Sequence, residues 1–166
     1  MRQPAGRIRA PAARAAFAAA LLWIVAPLAG AAPSTFGPVI GNALLCRSHL
    51  DNAYFYAYLA SAFGPSYKHE GGAWWFKSDG ASLWGAQVTD VIVSDDTSEL
   101  VFVGAVTVGA PEKLDDAIRA AVGIRYRALD GSAFPVRASN PGSQIVYFND
   151  NAKIFCAKYK PLPPAR

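Results

Sequence analysis

Cys46 and Cys156 are the only cysteines of this 166-residue chain, and His49 and His69 are its only histidines. Cys46-x-x-His49 is a spacing with chemical content. A thiol at a helix N-terminus, with an imidazole one turn along, can become a thiolate nucleophile with His49 or His69 as its base. A thiol enzyme of that kind needs Cys156 to stay unpaired and a third group to orient the histidine. The competing expectation is a Cys46–Cys156 disulfide, the default for two cysteines in an oxidising compartment. Closing so long a loop contributes about 4–5 kcal/mol on chain-entropy grounds. That is a large share of a domain's stability of roughly 5–15 kcal/mol.

Other chemistry is thinly represented. Cys46 and His49 could hold one side of a metal ion, but no second ligand pair exists. His69-Glu70 lacks the second histidine of a zinc-protease helix, and Gly71-Gly72 would break such a helix. Asp95-Asp96, between two strand candidates, reads as solvated turn chemistry. Ser48 and His49 are sequence neighbours, so on a helix they point apart. No nucleophile elbow, phosphate loop or dinucleotide fingerprint occurs. The sequence implies no metal and no cofactor, and its balance is against an enzyme.

Trp74, Trp75 and Trp84 are the stronger feature. Adjacent residues of a strand face opposite ways, so Trp74 and Trp75 divide between two faces. Trp84 can approach one of them across the Asp79-Gly80 turn. An exposed tryptophan pair, flanked by Arg125 and Arg127, would anchor a protein partner or a sugar ring. The plainer alternative is that helix and loop cover both rings.

Residues 1–31 read as a Sec-type secretory signal peptide of bacterial style. Arg2, Arg7, Arg9 and Arg14 form the basic region, an alanine-rich apolar stretch follows, and Ala29-Gly30-Ala31 sets the cut after Ala31. An uncleaved anchor is the alternative, since no charge occurs from Ala15 to Leu45. The whole chain carries 16 basic and 12 acidic residues. Losing the four leader arginines leaves 12 against 12, a mature domain of zero formal net charge. The basic balance therefore belongs to the leader and argues for neither nucleic acid nor stable membrane insertion. The expected destination is the periplasm or the exterior.

Residues 32–160 are of single-domain size, and residues 161–166, with Pro161, Pro163 and Pro164, read as a flexible tail. Ala32 to Gly41 reads as an extended lead-in. Ser48 is the expected cap of one long helix over Cys46–Gly64, with Leu50, Ala53, Ala57 and Ala60 as a small-residue buried face. Gly64-Pro65 stops it. Strands are expected at 73–77, 82–93, 99–107, 124–129, 143–148 and 152–159. The 99–107 run is apolar on both faces and therefore central. A second helix begins at Pro111 and ends at Gly123, with Leu114, Ala117, Ile118 and Ala121 inward. The order α-β-β-β-α-β-β-β argues for an α+β domain: a mostly antiparallel sheet of about six strands packed by two helices and closed by one disulfide. Asp90 interrupts the apolar set Trp84, Ala86, Val88 and Ile92, which share one face of the 82–93 strand, and suggests a bulge or a local exposure there.

The function these features favour is an exported, non-enzymatic binding protein, inhibitor-like or immunity-like, using an aromatic sheet surface. Its partner would be a protein or an envelope component. A Cys46 thiol enzyme and a structural envelope component are the alternatives.

Overall fold

The computed structural model of the chain describes residues 31–160. Apart from Ala31, the expected leader and the expected tail lie outside that range. The domain is α+β: three helices pack on one antiparallel sheet of nine strands. The helices are α1 (Asn42–Leu44), α2 (Asn52–Phe63) and α3 (Pro111–Val122). A π-helical turn over Gly37–Gly41 leads into α1. The strands are β1 (Lys68–Glu70), β2 (Ala73–Lys77), β3 (Ser82–Leu83), β4 (Ala86–Ser94), β5 (Leu100–Thr107), β6 (Arg127–Ala128), β7 (Arg137–Ala138), β8 (Gln144–Phe148) and β9 (Asn151–Tyr159). Their order across the sheet is β1-β2-β4-β5-β9-β8-β7-β6, and β3 pairs beside them with β4. No helix among the described residues is long and apolar enough to cross a membrane.

The class expected from the sequence holds, but the strand count and the element order do not. Three strands are added to the six expected. β1 pairs with β2 through Gly71-Gly72, whose φ angles of 62° and 72° make a tight two-residue hairpin turn. The expected 82–93 strand breaks at Trp84 and Gly85, both left-handed, and becomes the β3–β4 hairpin. β7 lies between Pro135 and Pro141, where no strand was expected. The expected 124–129 strand shrinks to β6. Ile124 and Tyr126 are buried as their alternation predicts, while Ala128 is exposed.

The helix count also rises. The expected extended lead-in is instead the π-helical turn and α1. Pro38 is harmless in a first turn, and Phe36, Ile40, Ala43 and Leu44 bury a stripe at helical spacing. The long helix is shorter than Cys46–Gly64. Cys46 is left-handed (φ 56°), which no helix interior tolerates, so Ser48 caps nothing. Asp51 caps α2, accepting from the Tyr54 backbone N–H at 3.0 Å. The buried face differs too: Phe55 and Leu59 point inward, whereas Ala53 and Ala57 are exposed. Burying a phenylalanine or leucine contributes about 1.5–3 kcal/mol, far more than an alanine can, so the aromatic face wins. In α3, Pro111, Leu114 and Ile118 are buried and Ala121 is not. Glu112 of α3 accepts from Tyr147 Oη at 2.6 Å and Arg137 Nη2 at 2.7 Å, which latches that helix to β7 and β8.

All three helices share one face of the sheet. There Ile40, Leu44, Phe55, Leu59, Leu114 and Ile118 close over Phe76, Val91, Val93, Val103, Ala105, Ile154 and Cys156 in one core. Cys46 and Cys156 are bonded, with Cα atoms 5.4 Å apart, so the segment before α2 is tied to β9.

Candidate functional site

The other sheet face is the candidate site. Side chains alternate along a strand, so β2 sends Trp74 and Phe76 to the helices and Ala73, Trp75 and Lys77 to the opposite side. On β5 the opposite-facing set is Leu100, Phe102, Gly104 and Val106, and on β9 it is Lys153, Phe155 and Ala157. On β4 a bulge intervenes between Val88 and Asp90, the first of the two outcomes the sequence left open at Asp90. It places Val88 in the helix-side core and turns Asp90 and Ile92 to the open face, so Val88 and Ile92 do not share a face as the unbroken alternation predicts. Trp75, Ile92, Gly104 and Phe155 consequently lie in one row across four strands.

That face is concave. Trp75 on β2 and Phe148 on β8 are four strand spacings apart, about 19 Å along a sheet. Their ring centroids are 6.3 Å apart. Side chains standing on a flat sheet could not meet over that span, so the sheet coils until they do. Beneath the rings, Ala73, Ile92 and Val106 are buried. Beside them lies an open trough of about 360 Å³, with Trp75, Phe102, Phe155, Leu100 and Ala157 as walls and Gly104 in the floor. Among the described residues no helix packs on this face.

Charge on the rim is mostly paired. Lys68 Nζ bonds Glu70 at 2.6 Å and lies 5.2 Å from the Trp75 ring centroid. Lys77 Nζ and Tyr67 Oη each donate to Asp90 Oδ1 at 2.8 Å. Burial pushes the Asp90 carboxyl up, but those two donors, with Thr89 and the Lys77 charge, together hold it below the usual carboxylate range. Lys153 has no carboxylate partner among the described residues; its ammonium sits 5.1 Å from the Phe148 ring centroid. The Trp75 indole nitrogen is buried without an acceptor.

Of the residues singled out from the sequence, Trp75 alone belongs to the trough. Trp74 faces the helices, in edge contact with Tyr56 and stacked on His69 at 3.5 Å and 13°. Trp84 is at the β3–β4 turn, packed beside Gly41. Arg125 and Arg127 are exposed at the β6 end of the sheet, the edge remote from β2. The structure does not bring the three tryptophans and the two arginines together. Ile92, Phe102, Gly104, Lys153 and Phe155 were expected in strands but not singled out as site residues. The one local signal was a lone glycine inside the apolar LVFVGAVT run, which marks a bulge or a close approach.

The thiol chemistry has no free thiolate to work with, because Cys46 is disulfide-bonded. His49 is exposed on the surface. His69 Nε2 instead meets Asp95 Oδ2 at 2.5 Å. Asp95, expected in a solvated turn, is 7% exposed. Its Oδ1 accepts from the Thr97 backbone N–H at 2.8 Å, the Thr97 hydroxyl at 2.7 Å and the Ser98 N–H at 3.1 Å. The His69 and Thr97 bonds hold its carboxyl far below the usual carboxylate range. Since the Thr97 hydroxyl is spent on the carboxylate, no nucleophile sits on the imidazole. The pair clamps β1 against the β4–β5 turn. No group of three or more His, Cys, Asp or Glu among the described residues is placed to hold a metal ion.

No family model, no curated protein and no solved structure matches this chain.

Proposed function

We propose that this chain is an exported, non-catalytic binding protein whose receiving surface is the concave sheet face at Trp75. The observation that carries the reading is the uncovered trough with a glycine in its floor. A folded domain ordinarily covers both faces of a sheet this apolar, or makes one of them polar. Here the helices cover one face, and the other keeps its aromatic walls around an empty volume. The disulfide and the leader-like start of the sequence support export. The partner inserts an apolar group into the trough, as an envelope component or a protein side chain would. Catalysis gains no support, because the nearest imidazole is on the opposite face and already clamped.

Binding of Nile red, a neutral apolar dye, tests this. The oxidised protein is expected to take up one dye molecule saturably. Gly104→Val is expected to abolish that uptake without lowering the melting temperature. The glycine has no left-handed φ, and a Cβ on it would meet its neighbours at 3.5 Å or more, so valine fills the trough rather than straining the backbone. Absence of saturable uptake, or uptake untouched by Gly104→Val, would overturn the proposal.

A further inference from the structure

We infer that the trough takes an elongated alkyl carboxylate, with its chain along β5 and β9 and its carboxylate at Lys153. This inference rests on the binding role proposed above and adds the chemistry of the occupant.

Shape gives the first argument. The walls on β9 run from Ala157 to Lys153. Four residues of strand span about 13 Å. A volume of about 360 Å³ drawn out over that length is a channel suited to a chain, at the small end of ligand-pocket sizes. A concave floor also fits a guest better than it fits an identical copy of itself.

Charge gives the second. Lys68 is neutralised by Glu70 and Lys77 by Asp90. Lys153 is left as the uncompensated cation of the lining, held among the apolar side chains of Val106, Val146 and Phe148. An ammonium in such surroundings gains from an anionic acceptor that water supplies less well there. At the other end the channel is lined by Glu70, Gly71 and Leu100. That end offers only an ion pair already satisfied and no free cation, so a second negative charge on the guest loses hydration there without gaining a partner. The site therefore discriminates one anionic end from none, from a cationic end and from two.

The experiment is displacement of Nile red from the oxidised protein by decanoate, decan-1-ol, decylamine and sebacate, which share a ten-carbon chain. Decanoate is expected to displace the dye at a concentration roughly tenfold below that of decan-1-ol, the scale of one charge-assisted hydrogen bond. Decylamine and sebacate are expected to be weaker than decanoate by at least as much. Lys153→Met keeps the apolar stem and is expected to erase the preference for decanoate over decan-1-ol, read as the ratio of their two displacement concentrations on that variant. Equal displacement by all four compounds, or a preference that survives Lys153→Met, would overturn the inference and leave the binding role standing. A protein that takes up no dye would overturn both. So would a dimer, seen by sedimentation, that excludes the dye until it is diluted apart.

Discussion

Asp95 stays ionised because every donor around it favours the charged form. An aspartate in the unfolded chain titrates near 3.9, and in the folded protein its value lies below that range. Between the two values the unfolded state binds more protons than the folded one, so stability falls as the pH falls through this window. Above about pH 4 the contribution is complete. Asp95→Asn is expected to lower the melting temperature at neutral pH and to flatten the acid limb of stability between about pH 4 and pH 2, as followed by thermal melts across pH. An unchanged acid limb would remove Asp95 as its source. The sequence showed the turn but not the clamp. The Asp95-Asp96-Thr97-Ser98 run advertises its own local hydrogen bonds. His69, 26 residues earlier, arrives only through the β1–β2 and β2–β4 pairings. Local chemistry is legible in a sequence; the register that brings in a distant ring is not.

At the scale of elements, the features that could be read were those with unambiguous punctuation. α3 starts at Pro111 and ends on a left-handed Gly123, as expected. β2, β5 and the β8–β9 pair also fall where their apolar runs lie. The errors arose where two periodicities were available. In α2 both the alanine row and the Phe55, Leu59, Phe63 row repeat every four residues, and apolar area decides between them. In the 82–94 stretch, strand-like alternation ran through Trp84-Gly85 and hid a turn. Gly85 has φ 83°, so Gly85→Ala is expected to destabilise by about 1–2 kcal/mol in denaturant unfolding. Gly104 sits in ordinary strand geometry, and Gly104→Ala is expected to stabilise by about 0.5–1 kcal/mol in the same measurement. Opposite signs at two strand-associated glycines would separate a glycine kept for its backbone from one kept for its empty space. Two losses would show that the floor of the trough is strained after all.

For the whole molecule, the α+β class and the pairing of the only two cysteines followed from composition and order. The coil of the sheet did not. It emerges from the bulge on β4, the glycine on β5 and the pairing of nine strands, which no single segment declares. The candidate surface was thus half legible: Trp75 was named, but its companions in the row came from three other strands. The disulfide closes 110 residues. Replacing both cysteines by serine is expected to cost about 2–5 kcal/mol in denaturant unfolding. Expressed with its leader in a bacterial host, the chain is expected to be recovered outside the cytoplasm beginning at Ala32, with no alkylation before reduction, as mass measurement would show. A thiol that alkylates without reduction would remove the staple and restore the thiol chemistry considered at Cys46.

The same bond sets how the domain would bear a pull. Tension applied at the two ends of the chain passes from Cys46 straight to Cys156 through the sulfur bridge. Everything between them, including β1, β2, β4 and β5 and all of the trough but Ala157, is off the load path. Among the described residues, only those before Cys46, with the π-helical turn and α1, and those after Cys156 at the end of β9 can be drawn out. Reduction would reroute the load through the β5–β9 ladder and the floor of the trough. A stretched but oxidised molecule therefore keeps most of its receiving surface, and a reduced one surrenders it first.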